Sequence, residues 1–187
     1  YRRLLDRYPD KPYTKLVALR LGDFLRDEGK EEEALKVYQQ VITNAPLPIR
    51  LRGKMRIANI FANRPSGEDY KQALTLYDEV IQDGQIDLIA QEARLRKGLT
   101  LTLHNQFREA IAALEALKQE FPNSPYVTPG TVEANIEENL KGLIDTLYQK
   151  PDDWEIAKVY NQYRDKYFRD FRFKATLLQV AAAYHRL

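Results

Sequence analysis

Apolar residues recur along this chain at steps of three and four, the spacing that gathers them on one face of an α-helix. Between Lys15 and Asp27 the series is Leu16, Ala18, Leu19, Leu21 and Leu25. Between Glu31 and Pro46 it is Ala34, Leu35, Tyr38, Val41 and Ile42. The first helix is expected to end near Asp27-Glu28-Gly29, with Gly29 as a left-handed C-cap. Pro46 is expected to stop the second, because proline cannot continue a helix. Gly22 falls mid-helix, where glycine costs about 1 kcal/mol against alanine. Its presence predicts a close backbone approach to a neighbouring helix.

The figure then returns. Ala34, Tyr38, Val41 and Pro46 have the same internal spacing as Ala110, Leu114, Leu117 and Pro122. Ala73, Tyr77 and Val80 form a copy without the proline, and Tyr1, Leu4 and Pro9 look like the tail of another. Gly98 takes the place of Gly22 and Asn105 that of Gly29, while Arg64-Pro65-Ser66-Gly67 lengthens the middle turn. The alanines step by 39 and then 37 residues, which predicts loops between units longer than standard. After Pro122 the rhythm weakens. A connector holding Pro125 and Pro129 precedes helices expected at roughly 131–149, 153–168 and 171–187, with Pro151-Asp152-Asp153 as turn and N-cap between the first two. Phe173, Leu177, Leu178, Val180, Ala181 and Tyr184 would form the apolar face of the last helix, which either caps the array or has lost its partner helix.

This order of small residue, Tyr or Leu, Val or Leu, and proline resembles the tetratricopeptide repeat, a helix–turn–helix of about 34 residues. The resemblance is strong at 15–46, good at 91–122 and looser at 54–85. It implies an all-α fold, a right-handed α-solenoid of about ten helices across 1–187. Within it, 1–9 is the tail of a truncated repeat, 12–46, 47–85 and 86–122 are repeats, 130–168 is a divergent repeat, and 171–187 is terminal. Both ends look like cuts inside a longer array. Solenoids of this kind mostly bind rather than catalyse, so the resemblance implies a scaffold or adaptor for a protein or peptide.

In such arrays the first helix of each hairpin lines the concave groove. Mapped by the resemblance, the partner-binding residues are Leu19, Asp23 and Arg26, with Leu16 beside them, then Arg52, Met55, Asn59 and Asn63, then Leu95 and Leu99, flanked by Glu92 and Thr102. Leu19 and Asp23 stand where family members that grip a peptide carboxylate need lysine and asparagine, so that clamp is absent. Leu19, Leu95 and Leu99 have an equally good reading as packing between hairpins. Tyr8-Pro9-Asp10 and Phe121-Pro122-Asn123-Ser124-Pro125-Tyr126 are similar to connectors in bacterial periplasmic and outer-membrane-associated repeat proteins, which slightly favours an envelope location over the cytoplasm.

Composition narrows the chemistry. The chain has 187 residues, a net charge of +2 and no cysteine, which removes disulfide and thiolate chemistry. His104 and His185 are its only histidines and lack metal-ligand spacing, so no metal or cofactor is expected. No nucleophile–base set or phosphate-binding glycine loop is present, and no enzyme activity is expected of this segment. Glu31-Glu32-Glu33 suits the start of a helix, where negative charge meets the macrodipole. Arg50, Arg52, Lys54 and Arg56 alternate with other residues and spread over several faces. Arg164, Lys166, Arg169, Arg172 and Lys174 interleave with Tyr163, Tyr167, Phe168, Phe171 and Phe173, which gives single-stranded nucleic acid as an alternative ligand for 163–174. The other alternative is an accessory arm of a larger enzyme.

Overall fold

The structure, a computed structural model, describes residues 12–128, 130–150, 152–169 and 173–187. Nine α-helices and no strands occur among them: α1 Pro12–Asp27, α2 Glu31–Asn44, α3 Leu47–Ala62, α4 Gly67–Gly84, α5 Leu88–Leu103, α6 Phe107–Glu120, α7 Val132–Gln149, α8 Asp153–Tyr167 and α9 Lys174–Arg186. The chain divides into two compact units, Tyr1–Thr100 and Leu101–Leu187. The expected repeat tail at Tyr1–Pro9 lies outside the described residues, as do Pro129, Pro151, Phe171 and Arg172.

In the first unit, α1 pairs with α2, α2 packs on α3 and α3 pairs with α4. Gly29 has φ of 76° in the α1–α2 turn, and Asn105 has φ of 57° in the turn before α6. Both take the left-handed conformation that ends a helix, which glycine adopts freely and asparagine tolerates. The middle turn is one residue longer and is organised differently. Ser66 caps α4, its hydroxyl accepting from the backbone N–H of Glu68 and Asp69.

The long alanine steps have another source than the one the spacing predicts. The connections α2–α3 and α4–α5 are short, only 45–46 and 85–87. Most of the extra residues of the first step lie in α4, which begins six residues before Ala73, whereas α2 and α6 begin three residues before Ala34 and Ala110; the second step is lengthened by one residue at the end of α4 and one in the α4–α5 connection. The Ser66 cap starts the helix almost one turn early.

The core forms as successive clusters. Leu19, Leu25, Ala34, Tyr38, Val41 and Ile57 belong to one, and Leu51, Met55, Ala58, Ala73, Tyr77 and Ala93 to the next. Phe61 and Leu76 pack against both, which makes the interior continuous between hairpins. Gly22 is indeed a close-approach site, but a side chain rather than a backbone occupies it. A Cβ there would lie 2.8 Å from Cδ1 and Cζ of Tyr38 and closer still to Cε1, so the tyrosine ring rests on the bare helix backbone.

In the second unit, α6 packs on α7, α7 packs on α8, and α9 lies against both α7 and α8. Asp152 caps α8, accepting from the Glu155 N–H at 3.1 Å. Ala157 is buried where α8 meets its neighbours. The last helix buries only part of the face its apolar residues predict. Thr176, Val180 and Ala183 are buried with Phe173, while Leu178, Ala181 and Tyr184 are exposed. Positions 173, 176, 180 and 183 keep the three–four rhythm, and Thr176 joins it because its small side chain fits the seam.

Candidate partner-binding groove

Three helices meet at one carboxylate. Asp23 on α1 accepts the hydroxyl of Tyr38 on α2 at 2.8 Å, and it accepts a two-pronged contact from Arg56 on α3. Nε of Arg56 lies 2.6 Å from Oδ1 and Nη2 lies 3.0 Å from Oδ2, the fork geometry that makes Arg–carboxylate pairs strong. The remaining Nη1 donates to the Arg52 carbonyl at 3.2 Å. Burial alone would raise the Asp23 pKa, but the hydrogen bonds from Arg56 and Tyr38, with the charges of Arg56 and Arg26, hold it below the ordinary carboxylate value. Tyr38 shifts upward, first through burial and then because its proton is held by Asp23.

The next hairpin repeats the device in uncharged form. Asn59 on α3 accepts the Tyr77 hydroxyl at 2.7 Å. Burial pushes the Tyr77 pKa up to about 12, against the pull of the Thr100 hydroxyl and the Arg96 charge. Asn63, just past the end of α3, donates its amide to the Asn59 carbonyl at 2.8 Å.

Between α1 and α3 the surface opens into a groove of about 280 Å³ lined by Leu16, Val17, Leu19, Arg20, Arg52 and Arg56. Its apolar lining comes from α1, and its basic lining from both helices. Leu16 and Arg20 are four residues apart on α1, and so are Arg52 and Arg56 on α3, which places each pair on one helical face. The expectation that the basic run of α3 spreads over several faces holds for neighbours but misses this pair. Lys54, between them, turns away to Glu79 at 2.9 Å and Asp83 at 3.2 Å on α4.

Eight of the nine residues mapped to the groove divide into three groups, and Arg52 stands apart. Leu19, Met55 and Leu95 are 2 %, 4 % and 8 % exposed and sit in the core, so they pack helices together. Asp23 and Asn59 face the right side but their acceptors are committed to Tyr38, Arg56 and Tyr77. Arg26 is bound to its neighbour Asp27 at 2.8 Å, Asn63 is exposed at the end of α3, and Leu99 is half-buried on α5. Only Arg52 and Leu19 of the set line the groove; Val17, Arg20 and Arg56 complete it. The four-residue spacing of Leu16–Arg20 and Arg52–Arg56 was the signal that could have found them.

The described rings of the basic-aromatic stretch 163–174 form a packing seam. Tyr167, Phe168 and Phe173 are buried, with the Phe168 ring 4.9 Å from that of Phe173 and 5.5 Å from that of Tyr160. Rings buried at a tilt against one another leave no open face for bases to stack on. Lys166 pairs with Glu115 at 3.5 Å. The acidic triplet opens α2, and Glu31 and Glu32 also reach Arg64 at 3.5 and 2.6 Å. Among the described residues no group of three His, Cys, Asp or Glu side chains could hold a metal ion, and no helix is long and apolar enough to cross a membrane.

Helical hairpins with a small residue at each crossing, a tyrosine or leucine one turn later, and a left-handed turn in the first and third define the class: the fold is an all-α solenoid of tetratricopeptide-like repeats. Family models of the tetratricopeptide repeat match residues 17–47 and 66–125, and these stretches are tetratricopeptide repeats. Among solved structures it is similar to a crystal structure of nearly identical TPR-like repeats, described as a kinesin light chain from Podosopora anserina. That similarity has a TM-score of 0.53 at 15 % identity and covers 94 % of this chain and 88 % of the other. No curated protein matches the sequence.

Proposed function

We propose that this chain is a scaffold that holds a partner protein by seating a short peptide segment in the α1–α3 groove. Repeats of this family support protein–protein interaction in general. The observation that carries the finer reading is the groove itself, where aliphatic lining and guanidinium groups converge on a surface that the core does not consume. The Asp23–Tyr38–Arg56 knot fixes α1, α2 and α3 to one another, so the groove exists before the partner arrives and little ordering cost is paid on binding. The Tyr8-Pro9-Asp10 and Phe121-Pro122-Asn123 connectors add an envelope location to this reading, which fractionation of cells making the full-length protein tests. The groove is tested by selecting short peptides from a random library and mapping them by amide chemical shifts. Selected peptides are expected to move α1 and α3 resonances and to lose affinity for Leu16→Asp, a change at an exposed position. Peptides that bind Leu16→Asp as tightly as the parent chain would refute it.

A further inference from the structure

We infer that the groove's occupant is an acidic peptide segment with one aliphatic anchor, its carboxylates read by Arg20 and Arg52; this rests on the scaffold reading above. The argument begins with the charges around the groove. Lys54 is neutralised by Glu79 and Asp83, Arg26 by Asp27, and Arg56 by Asp23. Arg20 and Arg52 are exposed, line the groove, and have no carboxylate partner among the described residues. They stand one on each helix, so a bound segment meets a guanidinium on either side. Arginine suits this task because its planar fork matches a carboxylate bidentately and is less strongly hydrated than an ammonium group.

The lining selects what lies between the carboxylates. Leu16, Val17 and Leu19 are aliphatic, and no aromatic ring lines the groove. A nucleic acid would supply the negative charge but would find nothing to stack its bases on. The volume of about 280 Å³ lies just below the range of small-molecule pockets, ~300–1,000 Å³, and fits one anchoring side chain with its flanking backbone. Leucine flanked by glutamate satisfies both features. Arg56 is excluded as a reader because both prongs of its fork are spent on Asp23.

The test uses fluorescence anisotropy on the whole chain with three synthetic peptides: one leucine flanked on both sides by glutamates, the same with glutamines, and the same with lysines. The glutamate peptide is expected to bind, and its affinity to fall as salt is raised. Arg20→Glu and Arg52→Glu, both at exposed positions, should each weaken it by about tenfold or more, since like charges facing one another are strongly disfavoured. Arg52→Glu should in turn gain affinity for the lysine peptide. Equal binding of glutamate and glutamine peptides, or unchanged affinity in either arginine variant, overturns the acidic assignment while leaving the groove reading standing. Binding of no peptide of any charge overturns the groove reading itself. A single-stranded oligonucleotide that competes as well as the glutamate peptide overturns the choice of a protein partner.

Discussion

Replacing Gly22 by alanine isolates the contact on which the first hairpin is built. Two effects oppose each other. Alanine gains about 1 kcal/mol of helix propensity over glycine. Against this, the new methyl would stand 2.8 Å from Cδ1 and Cζ of Tyr38 and nearer to Cε1. The ring cannot step aside, because Tyr38 is 0 % exposed and its hydroxyl is bound to Asp23 at 2.8 Å. Overpacking of this kind costs roughly 1–3 kcal/mol, and loosening a hydrogen bond to a charged acceptor adds about 1.5 kcal/mol. The net expectation is destabilisation by about 1.5–3.5 kcal/mol, a fall of roughly 3–14 °C in Tm at the usual 2–4 °C per kcal/mol for a chain of this size. Repeat arrays open locally, so amide hydrogen exchange should show the loss concentrated in α1 and α2. Gly142→Ala is the control: its methyl would meet the ring tip of Phe107 at 2.6 Å, but Phe107 is half-buried and can swing. The second hairpin carries Ala58 at the place of Gly22, with Tyr77 almost wholly buried beside it. An unchanged Tm and unchanged exchange in Gly22→Ala would mean that the first hairpin relaxes to that arrangement at no cost, and the argument from Gly22 would fail.

Arg56→Met keeps the aliphatic stem and strips Asp23 of its ion pair; the two side chains are 25 % and 16 % exposed, so the loss should be about 1–3 kcal/mol by urea unfolding. Because the folded pKa of Asp23 is depressed, its contribution is present above the ordinary carboxylate value and is lost as pH falls through the folded value; the parent should therefore lose stability in that acid window and Arg56→Met should lose less. Tyr77 behaves oppositely: its pKa is raised from 10.0 to about 12, so its contribution is complete below pH 10 and disappears toward pH 12. Tyrosinate absorbance should then rise with unfolding in the parent, and Tyr77→Phe should remove one buried group from that step. On α9, Leu178→Lys at a 65 % exposed site should change stability by no more than about 0.5 kcal/mol, whereas Val180→Lys at a 3 % exposed site should unfold the end of the second unit.

Much of the fold was legible because periodicity and turn chemistry act locally. Gly29 and Asn105 mark their turns through a backbone conformation that few residues adopt, and Ala34, Ala73 and Ala110 mark crossings where nothing larger fits. What escaped depends on partners distant in sequence. Nothing within α1 says that Asp23 will be met by Arg56, 33 residues on, so its polarity looked available to a ligand. The α9 face was misjudged because hydropathy ranks Leu178 above Thr176, while the seam accepts the smaller residue. Likewise the rings at 163–173 could stack on bases or on each other, and only packing decides.

The repeat register explains why Asp23 and Asn59 spend their acceptors inside the fold, and it yields a test. A buried tyrosine hydroxyl requires an acceptor. Tyr38 takes Asp23 and Tyr77 takes Asn59; in the third copy Leu114 needs none, and the corresponding first-helix position is Leu99. In the first two hairpins that position is therefore set by the second helix. Three residues before it, arginine recurs in all three copies as Arg20, Arg56 and Arg96. Arg56 reaches back to the acceptor of the preceding hairpin, whereas Arg96, for which the repeat register makes neutral Asn59 the equivalent acceptor, pairs with Glu92 of its own helix at 3.5 Å. Asn59→Asp should create the missing strap. The Tyr77 hydroxyl keeps its acceptor, Arg96 gains a carboxylate, and stability should rise by about 0.5–1.5 kcal/mol, with the gain lost when the new carboxylate is protonated in acid. Arg96→Met in the same background should cancel the gain. A neutral or destabilising Asn59→Asp, or a gain that survives Arg96→Met, would show that the Asp23–Arg56 strap belongs to one junction and is not a property of the repeat.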